Sequence, residues 1–267
     1  KVFEPLHSSQ NLSSFALCNA AIKKISYLPL VPSLKYLSLN YVKFSKWDGP
    51  MGWSKDDTVA VLSRIQGLSQ LQNLELSCAP ICDENLEPLL ENLPQLKCLT
   101  LSGIWGDTNR NSRTIGQITD RGCEVIARLK PDLQYLDLCG NDKIGKAGAL
   151  AVVTSCRHLR TLRMDRANIS ARDCNEIVAQ SDSLLLFLFG QRHSNNRELL
   201  DALKATGCHT LLYSGLHGLY EPAEGLSERE REQMKHSKRL IEEAYERARS
   251  YACHNPYEAL LEEDTRI

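Results

Sequence analysis

One short pattern, L-x-x-L-x-L, recurs along the chain and constrains its fold more than any other feature. Copies begin at Leu34, Leu71, Leu96, Leu133 and Leu159, and degenerate copies begin at Leu12, Leu184 and Cys208. Successive copies start 22, 37, 25, 37, 26, 25 and 24 residues apart. A unit of this length buries its apolar face only by stacking on its neighbours. The two intervals of 37 predict insertions of roughly a dozen residues in two of the units.

A second register supports this reading. An apolar residue follows the first leucine by ten or eleven positions in five units, at Ile22, Phe44, Ile81, Ile144 and Ile169. The residues after it have helical spacing in several units, as at Leu86, Leu89, Leu90 and Leu93. The sequence also indicates where helices begin. Thr119 and Ser170 occupy N-cap positions, where a side-chain hydroxyl can accept a hydrogen bond from the free backbone amides of the first helical turn.

Each unit is therefore predicted to be a short parallel strand, a turn and a helix that returns antiparallel to the strand. The apolar residues at the first, fourth and sixth places lie between strand and helix. Asn141, at the ninth place of its unit, is expected to hydrogen-bond the backbone where the chain leaves the strand. The pattern predicts an α/β solenoid of about eight repeats, with a curved parallel sheet and outer helices.

These units resemble the leucine-rich repeat superfamily, in its longer-repeat, ribonuclease-inhibitor-like branch. The stretches "ITDRGCEVIARLKPDLQYLDL" from Ile118 and "CRHLRTLRM" from Cys156 are similar to the cysteine-containing repeats of F-box adaptor proteins. The resemblance covers about three quarters of the chain and implies the fold more specifically than the function. It departs at the start, where about eleven residues precede the first repeat and leave no room for an F-box.

The composition changes after Tyr220, where a highly charged stretch begins. Ser227 and Glu230 form a capping-box pattern that predicts a helix of about 25 residues. A narrow apolar stripe runs along this helix at Met234, Ile241, Tyr245, Ala248 and Ala252. We expect a leucine-rich repeat domain over 1–220 and a C-terminal helical segment over 221–267. This segment either caps the open end of the core, covering Leu186, Leu188 and Leu212, or is offered to a partner.

The candidate binding residues lie between the leucines, on the face of the sheet that points away from the helices. From this face and its borders we select Tyr36, Glu75, Tyr135, Asp137, Arg160, Arg163 and Arg166, because aromatic residues and arginines carry much of the energy at protein interfaces. The alternative is that Arg163 simply pairs with Asp137 across neighbouring strands.

All three tryptophans lie in the two insertions, at Trp47, Trp53 and Trp105. Both insertions leave the strand on the same side, and long loops on a solenoid are uncommon unless they are functional or disordered. We expect the tryptophans to contact a partner. The alternative is that a tryptophan folds back onto the apolar face of its own loop.

The overall composition limits the kinds of partner that the chain is expected to bind. The chain has 267 residues with 32 basic and 33 acidic side chains, a formal net charge of −1, so no general attraction to nucleic acid is expected. No apolar run is long enough to insert across a membrane. Most of the ten cysteines fall inside apolar patterns, as small buried hydrophobes do, so we expect a reducing, intracellular and cytoplasmic setting. The two glycosylation sequons at Asn11 and Asn168 point weakly the other way. The sequence does not indicate an oligomeric state.

No motif for catalysis or cofactor binding is evident. A zinc site at Cys78, Cys82 and Cys98 is disfavoured because a fourth ligand is not evident. The chain is therefore predicted to be a non-catalytic protein-binding module without a metal or cofactor. Three alternatives stay open: a substrate receptor of a ubiquitin ligase, a microbial effector acting on host proteins, and a regulator of a small GTPase. We expect Trp105→Ala, or Arg160→Ala with Arg163→Ala, to weaken partner binding with little effect on the melting temperature.

Overall fold

The architecture is a single-layer parallel sheet backed by helices, as seen in a computed structural model. The structure describes residues 11–18, 20–40, 42–44, 53–103, 117–181, 183–184, 186–190 and 211–212. The sheet strands are β1 (Ser14–Cys18), β3 (Tyr36–Asn40), β5 (Asn73–Glu75), β6 (Cys98–Thr100), β7 (Tyr135–Asp137), β8 (Thr161–Asp165), β9 (Leu186–Gly190) and β10 (Leu211–Leu212). Their spatial order follows the chain and every pair is parallel, which confirms the predicted α/β solenoid.

Helices connect most of the strands. The α-helices of the described residues are α1 (Lys55–Ile65), α2 (Asp83–Glu91), α3 (Asp120–Leu129), α4 (Lys146–Ser155) and α5 (Ala171–Ala179). The early connection between β1 and β3 holds a 3-10 helix over Ile25–Tyr27. Two short strands, β2 (Ala21–Ile22) and β4 (Lys43–Phe44), form a second, two-stranded parallel sheet. None of these α-helices is both long and apolar enough to cross a bilayer.

The core lies between the sheet and the helices and is built from the repeated leucines. In the unit of β7, Leu133, Leu136 and Leu138 are fully buried, and the equivalent positions of the neighbouring units are buried with them. The helices contribute residues such as Leu86 and Leu89 to the same core. Burial of one leucine side chain stabilises a fold by about 2 kcal/mol, so the stacked ladder is the main source of stability.

The turn after each strand has its own geometry. Asn141 is buried and accepts from the Ile118 amide at 3.2 Å, while its side-chain amide donates to the carbonyls of Leu101 and Leu138. The role expected for the ninth-place asparagine is therefore confirmed. One position earlier, the backbone adopts positive φ in three units, at Cys78 (65°), Gly140 (81°) and Arg166 (72°). A side chain at Gly140 would also approach the backbone of Gly103, at 3.1 Å from its Cα.

Helix starts are capped within a unit and between units. Ser170 accepts from the Asp173 amide and Thr119 from the Arg121 amide, as expected. In addition, Asp120 at the start of α3 accepts from the amides of Gly145 and Gly148, which open α4 in the next unit. Gly148 leaves room for this carboxylate, because a Cβ there would lie 2.5 Å from Asp120 Oδ1.

The register of the last unit differs from the expectation. Leu211, rather than Leu212, pairs opposite Leu188 at the fifth place. The unit therefore starts one residue earlier than the "CHTLLY" reading. The proposed segment 221–267 lies outside the described residues.

The cysteines of the apolar patterns are buried free thiols. This is seen for Cys98, Cys123, Cys156 and Cys174, whereas Cys208 lies outside the described residues. They pack as small hydrophobes, as their positions in the apolar pattern predict.

Candidate functional site

The candidate site is the open face, which we define as the side chains at the third, fifth and seventh places of the units. The leucines at the fourth and sixth places point into the core, so the alternating residues point to the other side of the sheet. Strand pairing aligns Tyr36, Asn73, Cys98, Tyr135 and Thr161 in one row. It aligns Ser38, Glu75, Thr100, Asp137 and Arg163 in the next, as the sequence pattern predicts.

An ion pair occupies the middle of the open face. Arg163 Nη1 donates to Asp137 Oδ2 at 2.8 Å across neighbouring strands. The other carboxylate oxygen of Asp137 accepts from the Ser102 hydroxyl and the Cys139 amide, both at 2.9 Å. The Asp137 side chain is 5% exposed and that of Arg163 is 34% exposed. Asp137 therefore holds Arg163 in place, and the guanidinium presents part of its surface to solvent.

A second carboxylate lies beside this pair with fewer partners. Asp165 Oδ2 accepts from the Cys139 thiol at 3.2 Å and lies 3.8 Å from Arg163 Nη2. Asp165 Oδ1 is buried and has no hydrogen-bond partner among the described residues. Burial raises the pKa of Asp165, although the Cys139 thiol and the Arg163 charge act in the opposite direction.

The Cys139 thiol is a hydrogen-bond donor here. Burial, together with the charges of Asp137 and Asp165, raises its pKa well above the ordinary value. A thiol that stays protonated is a poor nucleophile, so this cysteine has the chemistry of a structural residue.

A second polar network lies on the first units. Glu75 accepts from the Ser38 hydroxyl at 2.9 Å and from the Asn40 side-chain amide at 2.7 Å, and Asn40 Oδ1 accepts from the Ser77 amide. Burial and the nearby Glu75 charge raise the pKa of Tyr36 to about 12. The phenol therefore stays protonated at neutral pH and can donate a hydrogen bond.

Tyr135 is the second aromatic residue of the open face, and it is partly exposed. Burial raises its pKa, with a further contribution from the Asp137 charge. Its phenol hydrogen-bonds with Arg163, which joins the aromatic row to the ion pair. Tyr135, Asp137 and Arg163 are thus brought together as one cluster.

Arg160 and Arg166 lie on either side of this cluster along the chain, and the Arg166 charge acts on the Asp165 carboxylate. Arg160 precedes β8 and Arg166 follows it, with Arg163 between them. A strand rises about 3.3 Å per residue, so the outer two backbone positions are roughly 20 Å apart. The three arginines expected as one group are spread along the whole length of the strand.

Two further rows escaped the sequence reasoning. The seventh places bring Asn40, Ser77, Ser102, Cys139 and Asp165 onto the open face. The second places form a basic border along the start of the strands, with Lys35, Lys97 and Arg160 in alternate units. Reading every position of the aligned units as a column, rather than the third and fifth alone, would have found both.

Of the three tryptophans predicted to contact a partner, only Trp53 lies among the described residues. Trp53 is 3% exposed, donates from Nε1 to the Val42 carbonyl at 2.7 Å, and packs edge-on against Phe44 with ring centroids 5.2 Å apart. Its indole belongs to the core, as in the fold-back alternative, and we remove it from the candidate surface. Trp47 and Trp105 lie outside the described residues.

The cysteines considered as metal ligands have other partners. The Cys82 thiol lies 2.9 Å from Asn85 Oδ1, and the Cys78 thiol lies 3.9 Å from the Gly103 carbonyl. Within the part of the chain that the structure describes, no three His, Cys, Asp or Glu residues are grouped so as to hold a metal ion.

Similar solved structures were found, among them three that are 12–17% identical to this chain. No protein-family model and no curated protein matches the chain. The actin-binding site 2 of leiomodin-1 is similar at 13% identity and a TM-score of 0.37, covering 78% of this chain and 99% of that one. An internalin from Listeria monocytogenes is similar at 17% identity and a TM-score of 0.42, covering 79% and 64%. The tropomodulin C-terminal domain of Caenorhabditis elegans is similar at 12% identity and a TM-score of 0.33, covering 74% and 99%. The fold assignment rests on the strand register and the buried leucines of this chain.

Proposed function

We propose that the protein is a non-catalytic binding module that holds a protein partner on the open face. The observation that carries this proposal is the alignment of polar, charged and aromatic side chains in register on one sheet. Such side chains are fixed before binding by their neighbours, as Arg163 is by Asp137. Little ordering entropy is then lost when a partner docks.

The chemistry of this face favours a protein as the partner. Tyr36, Tyr135 and Arg163 are of the types enriched at protein interfaces, and all three keep part of their surface exposed. Acidic residues lie at the fifth and seventh places, towards the carboxyl ends of the strands, and the basic border of the second places lies at the strand starts. This mixture of both signs suits a protein surface better than a polyanion, which needs a uniformly basic face.

We further propose that residues 1–220 form the repeat domain and that residues 221–267 form a helical extension to it. The composition change after Tyr220 supports this division. Trp47 and Trp105 are proposed as additional contacts beside the open face.

A site-specific photo-cross-linker tests the proposal. Benzoylphenylalanine is placed at Thr161, which is partly exposed on the open face, and in a matched variant at Glu124, which is exposed on α3. We expect the Thr161 variant to form a discrete cross-linked species in native lysate and the Glu124 variant to form none of the same mass. The same species from both positions, or from Glu124 alone, would place the partner elsewhere.

A further inference from the structure

We propose that an acidic segment of the protein partner binds to three lysines of the first two units, Lys23, Lys24 and Lys43, which we call the lysine patch. Lys23 and Lys24 follow β2, and Lys43 opens β4, beyond the carboxyl ends of the first two sheet strands. The preference of the patch for carboxylates concerns this chain alone. That the segment belongs to the partner on the open face rests on the proposed function.

The charge of the first two units differs from that of the whole chain. Residues 5–47 contain five lysines and no aspartate or glutamate, although the whole chain has 33 acidic and 32 basic residues. The three lysines of the patch are all exposed. Because like charges gathered on one surface raise the local potential, this end of the molecule attracts anionic ligands even though the net charge of the chain is −1.

The lysines of the patch also lack the acidic partners that cations of later units have. Arg128 pairs with Glu87, and Lys146 pairs with Asp173 and Glu176. Within the described ranges, no carboxylate forms an ion pair with any lysine of the patch. The positive charge of the patch is therefore not neutralised by these residues.

The backbone that carries the patch is fixed by hydrogen bonds. Lys43 pairs opposite Ala21 in the two-stranded sheet, and its amide donates to the Ala20 carbonyl at 2.8 Å. The Lys24 carbonyl accepts from the Tyr27 amide at 3.0 Å. A ligand therefore meets lysines whose backbone positions are set before binding, and less ordering entropy is lost.

The patch is compact and lies on a packed support. Paired strands are about 4.8 Å apart, and two residues of chain span at most about 7 Å, so the Cα atoms of Lys23 and Lys43 lie within about 12 Å. On the buried side of the same small sheet, Ile22 and Phe44 are 5% and 3% exposed, and Trp53 packs against Phe44. Residues three apart in an extended peptide are about 10 Å apart, so a short acidic segment can place its carboxylates near these lysines.

The residue types of the patch favour carboxylates over other anions. The described residues of 11–44 include no arginine, whose forked donors suit phosphates, and no aromatic ring in the exposed class, on which bases could stack. Val59, on α1, is the one large hydrophobic residue listed as exposed in the described part of the chain, whereas membrane-surface binding uses several buried apolar side chains. Lysines act as separate point charges, which suits separate carboxylates.

The patch is continuous with the open face. Ser14, Ala16 and Cys18 of β1 are small, exposed residues of that face, so the main chain of a partner can approach closely there. Cys18 precedes Ala21 by three residues, which span at most about 11 Å. A segment that leaves the open face across β1 therefore reaches the lysine patch directly.

Binding of a fluorescein-labelled decaglutamate peptide to the full-length chain tests the charge preference. We expect binding in about 50 mM salt, where surface charges are weakly screened, and we expect Lys23→Glu with Lys43→Glu to weaken it at least about tenfold. The matched control is Arg121→Glu with Lys143→Glu, which makes the same change of charge at exposed sites of later units. It should weaken binding less than about threefold. Equal weakening in both variants, or no binding by the parent, would overturn the proposal.

Two further probes distinguish the classes of anionic partner. A labelled ten-nucleotide oligothymidylate and vesicles containing phosphatidylserine are compared with decaglutamate at equal concentrations of negative charge. We expect both to bind more weakly than the peptide, because the patch supplies neither a stacking ring nor an apolar anchor. Tighter binding of either probe, lost in the variant with Lys23→Glu and Lys43→Glu, would assign the patch to nucleic acid or membrane and would overturn the proposal.

A photo-cross-linker at Ala21 tests whether the acidic segment belongs to the partner. Benzoylphenylalanine at this exposed position should form, in native lysate, a species of the same mass as the Thr161 variant forms. Excess decaglutamate should suppress the Ala21 product more than the Thr161 product. A Thr161 product without an Ala21 product would overturn this inference and leave the proposed function standing. Decaglutamate binding without a Thr161 product would contradict the proposed function and support the charge preference of the patch.

Discussion

At the scale of the residue, Arg163 joins stability to recognition. Its guanidinium pairs with the buried Asp137 and hydrogen-bonds with Tyr135, while part of the side chain stays exposed. From sequence alone these two roles could not be separated, because the pairing depends on which strands become neighbours. The structure shows the pairing, and the recognition role is a proposal that rests on the exposed part.

We expect Arg163→Ala to lower the free energy of unfolding by about 2 kcal/mol, because Asp137 and Asp165 would lose their nearest cation. The cost is below that of a fully buried pair, since Arg163 is 34% exposed. Arg157→Ala is the control, since Arg157 is exposed just after α4, and it should change stability by less than about 0.5 kcal/mol. Urea unfolding measures both. This replaces the expectation that the double arginine change has little effect on the melting temperature. Equal stability of the two variants would contradict the prediction.

Asp165 gives the protein a predicted pH dependence. Its folded-state pKa is raised by burial above the ordinary 3.8. At a pH between the ordinary pKa and the raised folded-state pKa, Asp165 is protonated more often in the folded chain than in the unfolded chain. The contribution of Asp165 to stability therefore falls as pH rises through this range. We expect Asp165→Asn, with Arg163, Asp137, Cys139 and Arg166 still in place, to remove this fall. Between pH 4 and pH 7, the free energy of unfolding of the Asp165→Asn variant should increase relative to that of the parent as pH rises. Parallel curves would contradict the assignment.

At the scale of the element, the helices are held by contacts that reach from one repeat to the next. Asp83 accepts from the amide and hydroxyl of Thr119, and Asp120 accepts from Gly145 and Gly148. Lys130 donates in the same way to the Leu93 carbonyl at the end of the preceding unit. These side chains satisfy helix-end groups of neighbouring units, so each helix depends on its neighbour for part of its capping.

Removing one such cap should weaken the junction between two units. We expect Asp120→Ala to reduce the free energy of unfolding by about 1–2 kcal/mol, because two amides at the start of α4 lose their acceptor. Asp142→Ala is the matched control, since Asp142 is exposed in the loop before α4 and should cost less than about 0.5 kcal/mol. Thermal and urea unfolding measure the difference. If Asp142→Ala lowered the free energy of unfolding as much as Asp120→Ala, that result would argue against the inter-repeat cap.

The elements also show what sequence can and cannot predict. The third- and fifth-place rows were predicted correctly from Ser14 to Arg163, because buried leucines fix the strand register unambiguously. The last unit was misregistered because Leu211 and Leu212 are both apolar and fit either frame. The inter-repeat caps were missed, since Asp120 and Gly148 are 28 residues apart and meet only after stacking. Trp53 lies in an insertion by sequence, but its burial depends on Val42 and Phe44 in another segment.

At the scale of the whole molecule, the sheet is a one-dimensional stack. Every described strand pairs only with the corresponding strand of an adjacent unit, so stability is close to a sum of units and junctions. The junctions are unequal. Units around α3 and α4 are backed by full helices and joined by the Asp83 and Asp120 caps, whereas the first unit is backed by a three-residue 3-10 helix.

This inequality predicts where the molecule opens first. We expect amides of β6 and β7 to exchange most slowly and those of β1 and β3 to exchange through lower-energy opening, because fewer buried contacts hold that end. Asp120→Ala should then reduce protection in α4 and β8 more than in β3, since coupling in a repeat stack decays with distance along it. Hydrogen exchange followed by mass spectrometry resolves these segments. A uniform loss of protection in every strand would mean that the stack unfolds as one cooperative unit, and the nearest-neighbour description would then be wrong.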